Sequence, residues 1–179
     1  LGVVPLEISD YKQYHEAATK FVDWLKKHHP SKMDKALKAE ALTQLGYLKR
    51  LAARLKLPQV MKWVDNYLEA NDGKILVFAI HKKIVAALRQ RYRNLSVVLD
   101  GSTPLPARKQ VVQTFQCDPK IRVFIGNIKA AGVGINLTAA STVAFAELDW
   151  VPGNHTQAAD RAHRIGTKDS VNVHFLVAK

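Results

Sequence analysis

Hydrophobic spacing divides the chain into two styles. Up to about residue 70, apolar side chains recur at three- and four-residue steps. Tyr14, Ala17, Ala18, Phe21, Trp24 and Leu25 form one stripe of a helix over residues 11–28, which Ser9 or Asp10 can cap and Pro30 ends. A second stripe, Leu37, Ala41, Leu45, Leu48, Ala52 and Leu55, predicts a helix that stops at the Leu57-Pro58 break. A third helix follows over 59–70 and closes in the turn Asn71-Asp72-Gly73. Stripes of this kind are packing surfaces rather than cofactor boxes.

From Lys74 the pattern alternates between strand and helix. Residues 75–80 are apolar without polar alternation, as in a strand covered on both faces. Helices over 81–92, 104–116 and 154–164 then separate strands at 96–99, 122–125, 142–145 and 171–177. Strands interleaved with helices predict an α/β fold, a mostly parallel sheet flanked by helices. The expected organisation is a helical annex over 1–73 followed by the sheet-bearing lobe over 74–179. In such lobes, functional residues sit on loops at the carboxyl ends of the strands.

Composition narrows the function. Lysine and arginine outnumber aspartate and glutamate by 27 to 15, a field that favours an anionic partner such as nucleic acid or serves solubility alone. One cysteine, Cys117, allows no internal disulfide and suits a reducing compartment. No apolar run reaches the ~20 residues that cross a bilayer. The chain therefore reads as intracellular, cytoplasmic in a prokaryote or virus and nuclear in a eukaryote, with no membrane partner. It starts at Leu1 without methionine and stops at Lys179 just after a strand, so a piece of a longer polypeptide is expected.

Three loops and one helix carry candidate chemistry. Gly132 and Gly134, after the strand at 122–125, let backbone approach an anion or ribose, or simply form a tight turn; Leu137 stands where a dinucleotide fingerprint wants its third glycine. Asn127 lies on the same loop, and Lys129 there is either a phosphate contact or a solvated charge. Ser102 and Thr103 open a helix, where hydroxyls can hold a phosphate or cap the helix, and Arg108 follows one turn later. Arg161 and Arg164, three residues apart, suit a polyphosphate, because a guanidinium is permanently charged and binds two oxygens at once. Glu147 and Asp149 at a strand end invite a magnesium ion, but no phosphate-cradling loop accompanies them. The only Gly-Lys, Gly73-Lys74, has Ile75 after it and Leu68 where the first glycine belongs. No metal site is expected: His28 and His29 are adjacent, and no His-x-x-x-His pair occurs.

In order, LDGSTPLPARKQVVQTFQ, VFIGNIKAAGVGINLTAAS, FAELDWVPG and QAADRAHRIG resemble the second RecA-like lobe of a superfamily-two helicase, and more narrowly the Swi/Snf family of DNA-translocating ATPases. The wording Asn-Ile-Lys-Ala-Ala-Gly-Val-Gly with Glu-Leu-Asp-Trp is similar to its annealing-helicase branch. The resemblance implies a RecA-like lobe, preceded by a helical protrusion, that closes on ATP and Mg2+ held mainly by a first lobe on the same polypeptide. It implies Arg164 as an arginine finger with Arg161 beside it, Gln157 orienting the motif, and Gly132 and Gly134 lining the nucleotide cleft. Ser102, Thr103, Arg108, Asn127 and Lys129 would hold the phosphates of duplex DNA without reading bases. Thr167 replaces the glutamine usual after Arg-Ile-Gly. On its own this lobe is expected to hydrolyse ATP poorly or not at all. A non-catalytic nucleic-acid-binding module and an RNA helicase lobe are the alternatives.

Overall fold

The computed structural model describes residues 1–28, 34–129, 135–162 and 170–179. Its elements in chain order are β1 (Gly2–Leu6), α1 (Tyr11–His28), α2 (Lys35–Ala70), β2 (Lys74–Ala79), α3 (Lys82–Arg91), β3 (Ser96–Leu99), α4 (Leu105–Cys117), β4 (Val123–Asn127), β5 (Ala140–Phe145), α5 (Pro152–Ala159) and β6 (Asn172–Ala178). The strands form one sheet in the order β1-β6-β5-β2-β4-β3, and every described pairing is parallel. The expected α/β class therefore holds.

β2 explains the lack of polar alternation. Ile75, Val77 and Ala79 face a core built with Val60 and Val64 of α2 and Ile84, Val85 and Leu88 of α3. Leu76 and Phe78 face the opposite core, with Phe115 of α4 and Ala158 of α5. A strand with helices on both sides has no solvent face to mark with polar residues. On the second side, Phe78 stacks against Phe145 at 5.6 Å between ring centroids. That ring also fixes Gly126, since a Cβ there would come within 2.6 Å of Phe78. Only glycine permits so close an approach.

Three expectations change. β1 was not expected, because residues 1–58 read as helical; it pairs in register with β6, Val3 opposite Phe175 and Leu6 opposite Ala178. Pro5 fits there because β1 is an edge strand, which can spare a backbone donor. The break at Leu57-Pro58 is absent, and α2 runs unbroken from Lys35 to Ala70 with Pro58 inside it. An interior proline costs about 3 kcal/mol. Pro58 and Arg54 are both exposed, so water can satisfy the Arg54 carbonyl that has lost its donor. Burial of Leu55, Val60 and Val64 at 6%, 1% and 0% exposure, roughly 1.5–3 kcal/mol each, holds the helix through the defect. Third, α5 ends at Ala159 rather than continuing to 164, and its cap residue Asp160 donates its backbone N–H to the carbonyls of Ala158 and Thr156.

Side-chain caps set the starts of α1 and α2. The carboxylate of Asp10 accepts from the Gln13 N–H at 2.8 Å, and that of Asp34 from the Leu37 N–H at 2.9 Å. β1 and the second half of α2 thus share the core of the strands that follow residue 73, while α1 packs on α2 and has no fully buried residue.

Candidate nucleic-acid interface

A parallel sheet directs the ends of its strands toward one edge, and here the carboxyl ends of β2, β3 and β4 surround a cleft of about 350 Å³. Asn127 and Lys129 enter it from the end of β4, Asp100 and Gly101 from the end of β3, Arg108 from α4 and Lys82 from the first residue of α3. Three permanent or near-permanent cations face one carboxylate there, so the cleft favours an anion.

Each group is held by its local chain. The Asn127 side-chain amide donates to the Ile80 carbonyl at 2.7 Å, while its oxygen accepts from the Lys129 N–H at 3.1 Å. Asn127 therefore ties the end of β2 to the end of β4 and shapes the turn that presents Lys129. Arg108 donates through Nε to the Thr103 carbonyl at 3.1 Å. Its side chain is half-buried in α4 and lines the cleft. The Asp100 carboxylate accepts from the Ser102 hydroxyl at 2.6 Å and from its N–H at 2.8 Å, and the Ser102 bond holds the acid below its ordinary pKa. Thr103 Oγ1 accepts from the Asp100 N–H at 3.0 Å. Both hydroxyls thus brace the turn, with Ser102 exposed and Thr103 half-buried beside the cleft.

Sequence reasoning passed over Lys82. The signal was available: His81-Lys82-Lys83 follows directly on the first strand of the alternating region, where parallel sheets place ligand contacts.

α5 leads away from the carboxyl end of β5 and back toward the start of that strand. Gln157 is exposed on α5, and Arg161, half-buried, lies in the turn beyond it. The Arg161 carbonyl accepts from the Leu137 N–H at 2.9 Å, which joins this segment to the end of the loop that follows β4. Gly132, Gly134 and Arg164 lie outside the described residues.

Glu147 and Asp149 have backbone duties. Glu147 is 4% exposed, and its carboxylate accepts the N–H groups of Ile80 and His81 at 2.8 and 2.9 Å and also bonds the His81 ring. It clamps the end of β5 to the start of α3, and so fixes the segment that presents Lys82. Burial works to raise the pKa of Asp149, but the Asn154 side chain and the Trp150 and Val151 N–H groups outweigh it and keep the acid low. The Asp149 N–H donates to Nε2 of the buried His155 at 3.0 Å; desolvation lowers the pKa of that ring, as suits an acceptor nitrogen. From the other side, Lys49 of α2 donates to the Leu148 carbonyl at 2.7 Å and lies 4.1 Å from the centre of the Trp150 ring. Among the described residues, no three His, Cys, Asp or Glu side chains stand together as a metal site. No helix among them is long and apolar enough to cross a membrane. Cys117 is the exposed last residue of α4.

Comparison with known proteins agrees with this architecture. Residues 56–166 match the family model of the helicase conserved C-terminal domain. The mouse protein "DNA annealing helicase and endonuclease ZRANB3" is 42% identical over 142 residues, which is 76% of this chain and 13% of that protein. The Caenorhabditis elegans homolog of "SWI/SNF-related matrix-associated actin-dependent regulator of chromatin subfamily A-like protein 1" is 47% identical over 121 residues, 65% of this chain and 18% of that protein. This chain thus spans less than a fifth of either relative. Among solved structures, the SWI2/SNF2 ATPase core of Sulfolobus solfataricus in complex with dsDNA superposes with a TM-score of 0.78 at 21% identity, covering 99% of this chain and 41% of that one, and so supports the RecA-like fold. By sequence match and architecture together, this chain belongs to the helicase conserved C-terminal domain family in its Swi/Snf form.

Proposed function

We propose that this chain is the C-terminal motor lobe of an ATP-dependent duplex-DNA translocase. The observation that carries the reading is the gathering of Lys82, Arg108, Asn127 and Lys129 in one cleft at the carboxyl edge of the sheet. Such a set grips phosphates of one strand and reads no bases, as a motor that must move along any sequence requires. Ser102 and Thr103 support this grip by holding the Asp100 turn that forms one wall.

ATP would be held mainly by an N-terminal RecA-like lobe of the same polypeptide. Arg161 and Arg164 would meet its phosphates when the lobes close, with Gln157 orienting the segment and Gly132 and Gly134 lining the cleft. A guanidinium placed there stabilises the charge that spreads over the transferring phosphoryl group. Mg2+ belongs with the first lobe on this reading, because the carboxylates of Glu147 and Asp149 are already committed to backbone N–H groups. The annex of residues 1–73 would act as the protrusion that leads into the lobe. The mouse relative is named a DNA annealing helicase and the nematode relative a regulator of chromatin, which favours duplex DNA over RNA and a nuclear location in a eukaryotic host.

Duplex binding measured across salt tests the cleft. Each phosphate contact contributes about 0.9 to the slope of log K against log salt. Changing Lys82, Arg108 and Lys129 together to alanine is expected to flatten that slope by about 2 to 3, equally for unrelated duplex sequences. An unchanged slope, or a loss confined to one sequence, contradicts the reading.

A further inference from the structure

A second basic hollow lies between α2 and the start of α3, next to the cleft at the strand ends, with a volume of about 600 Å³. Its floor is apolar: Leu51 and Ile84 are 3% and 6% exposed, and Leu57 is half-buried beside them. Its rim is cationic, formed by Arg50 and Arg54 of α2 and by Lys83 of α3. Among the described residues, no acidic side chain lines it. Among the described residues the ion pairs are His81 with Glu147 and Arg91 with Asp65, so none of these three rim cations is matched by a carboxylate. Among the described residues, Arg54 donates to a neutral partner, the Gln13 side-chain oxygen at 3.2 Å.

We propose that this groove is a docking site for an acidic segment of a protein partner, one that carries apolar anchors between its carboxylates. Charge and apolarity have to be explained together. Unmatched cations call for an anion. The leucine and isoleucine floor calls for aliphatic or aromatic side chains, which a phosphate backbone lacks and a peptide supplies. Spacing agrees as well. Arg50 and Arg54 are one helical turn apart on the same face of α2, which suits carboxylates one turn apart on an incoming helix. Tyr47, 52% exposed at one end of the groove, offers an aromatic wall with a polar tip, the kind of side chain that anchors protein interfaces. The start of α3, which has no side-chain cap, adds the positive end of its dipole to the rim. Lys82 lies on the boundary between this groove and the cleft at the strand ends. The proposal does not depend on what that cleft binds.

The test uses a fluorescein-labelled helical peptide of about 14 residues, with leucines at i, i+3, i+4 and i+7 and glutamates on the flanking positions. Its binding to the whole chain is followed by fluorescence anisotropy. Saturable binding is expected, weakened about 10-fold or more by the double change Arg50→Glu and Arg54→Glu, whose side chains are exposed. The same loss is expected with the protein untouched when serine replaces the peptide's leucines. A labelled random-sequence DNA duplex is titrated alongside, and the double change should weaken it less than the peptide. The proposal is overturned if binding is not saturable, if the charge reversal leaves it unchanged, or if the serine peptide binds equally well. It also fails if the duplex loses as much affinity as the peptide, since the groove is then part of a DNA surface.

Discussion

Lys56 is the most sensitive probe of how α2 sits on the sheet. Its residue is 6% exposed, and its ammonium group donates to the Leu176 carbonyl of β6. Burial pushes its pKa from 10.5 down to about 8, against the attraction of Glu147. In the unfolded chain the amine keeps its ordinary value, so between pH 8 and 10.5 the unfolded state binds more protons and stability rises with pH. Below about pH 8 both states are protonated, and the charged amine destabilises the fold by its full amount. At about 1.4 kcal/mol per pH unit that amount is about 3 kcal/mol. Lys56→Met keeps an unbranched chain of similar reach but leaves the Leu176 carbonyl without its donor, which costs about 1–2 kcal/mol. The variant is therefore expected to be more stable than the parent at pH 7 by about 1–2 kcal/mol. That advantage should shrink by about 2 kcal/mol at pH 9.5, as the parent's lysine loses its proton. Urea unfolding at the two pH values, followed by tryptophan fluorescence, gives both differences. A variant–parent difference that does not change with pH would refute the desolvated amine, and with it the close seating of α2 on β6.

Replacing Glu147 with leucine should cost about 3 kcal/mol, because the Ile80 and His81 N–H groups lose their buried acceptor; urea unfolding reads this, and a loss below about 0.5 kcal/mol would contradict the clamp. Acid should weaken the turn around Asp149, since desolvation lowers the pKa of His155 from 6.5, so the unfolded chain takes up a proton before the folded one and stability falls as pH drops below about 6.5. His155→Gln, whose amide oxygen can still accept from Asp149, should flatten that fall in thermal melts, leaving the share due to His174, which shifts in the same direction. An unaltered pH profile would place the titration elsewhere.

Particular residues show what could be read without coordinates. The run from Ile75 to Ala79 announced a doubly covered strand because both its faces are apolar, and both proved to be packed. β1 escaped because Val3 and Val4 make too short a pattern, and its meaning comes from pairing with β6 more than 160 residues later, a contact no local period encodes. Pro58 misled for the opposite reason: a strong local breaker was overruled by the burial of Leu55 before it and Val60 and Val64 after it. At the cleft, Asn127, Lys129 and Arg108 were legible as loop and helix-start chemistry, and the structure gathers them. Lys82 went unnoticed because it follows a strand with no glycine or hydroxyl to draw the eye. That Ser102 and Thr103 are turned toward Asp100 depends on side-chain torsions that sequence spacing does not specify.

The central claim is that this lobe completes an ATPase site from the second side, and Arg164 tests it most directly. In a polypeptide that includes the first lobe, Arg164→Ala should lower DNA-stimulated ATP turnover by about 1,000-fold while duplex binding is retained. The 179-residue chain alone should show no DNA-stimulated turnover. Undiminished turnover in the variant, or robust turnover by the isolated chain, would contradict the account.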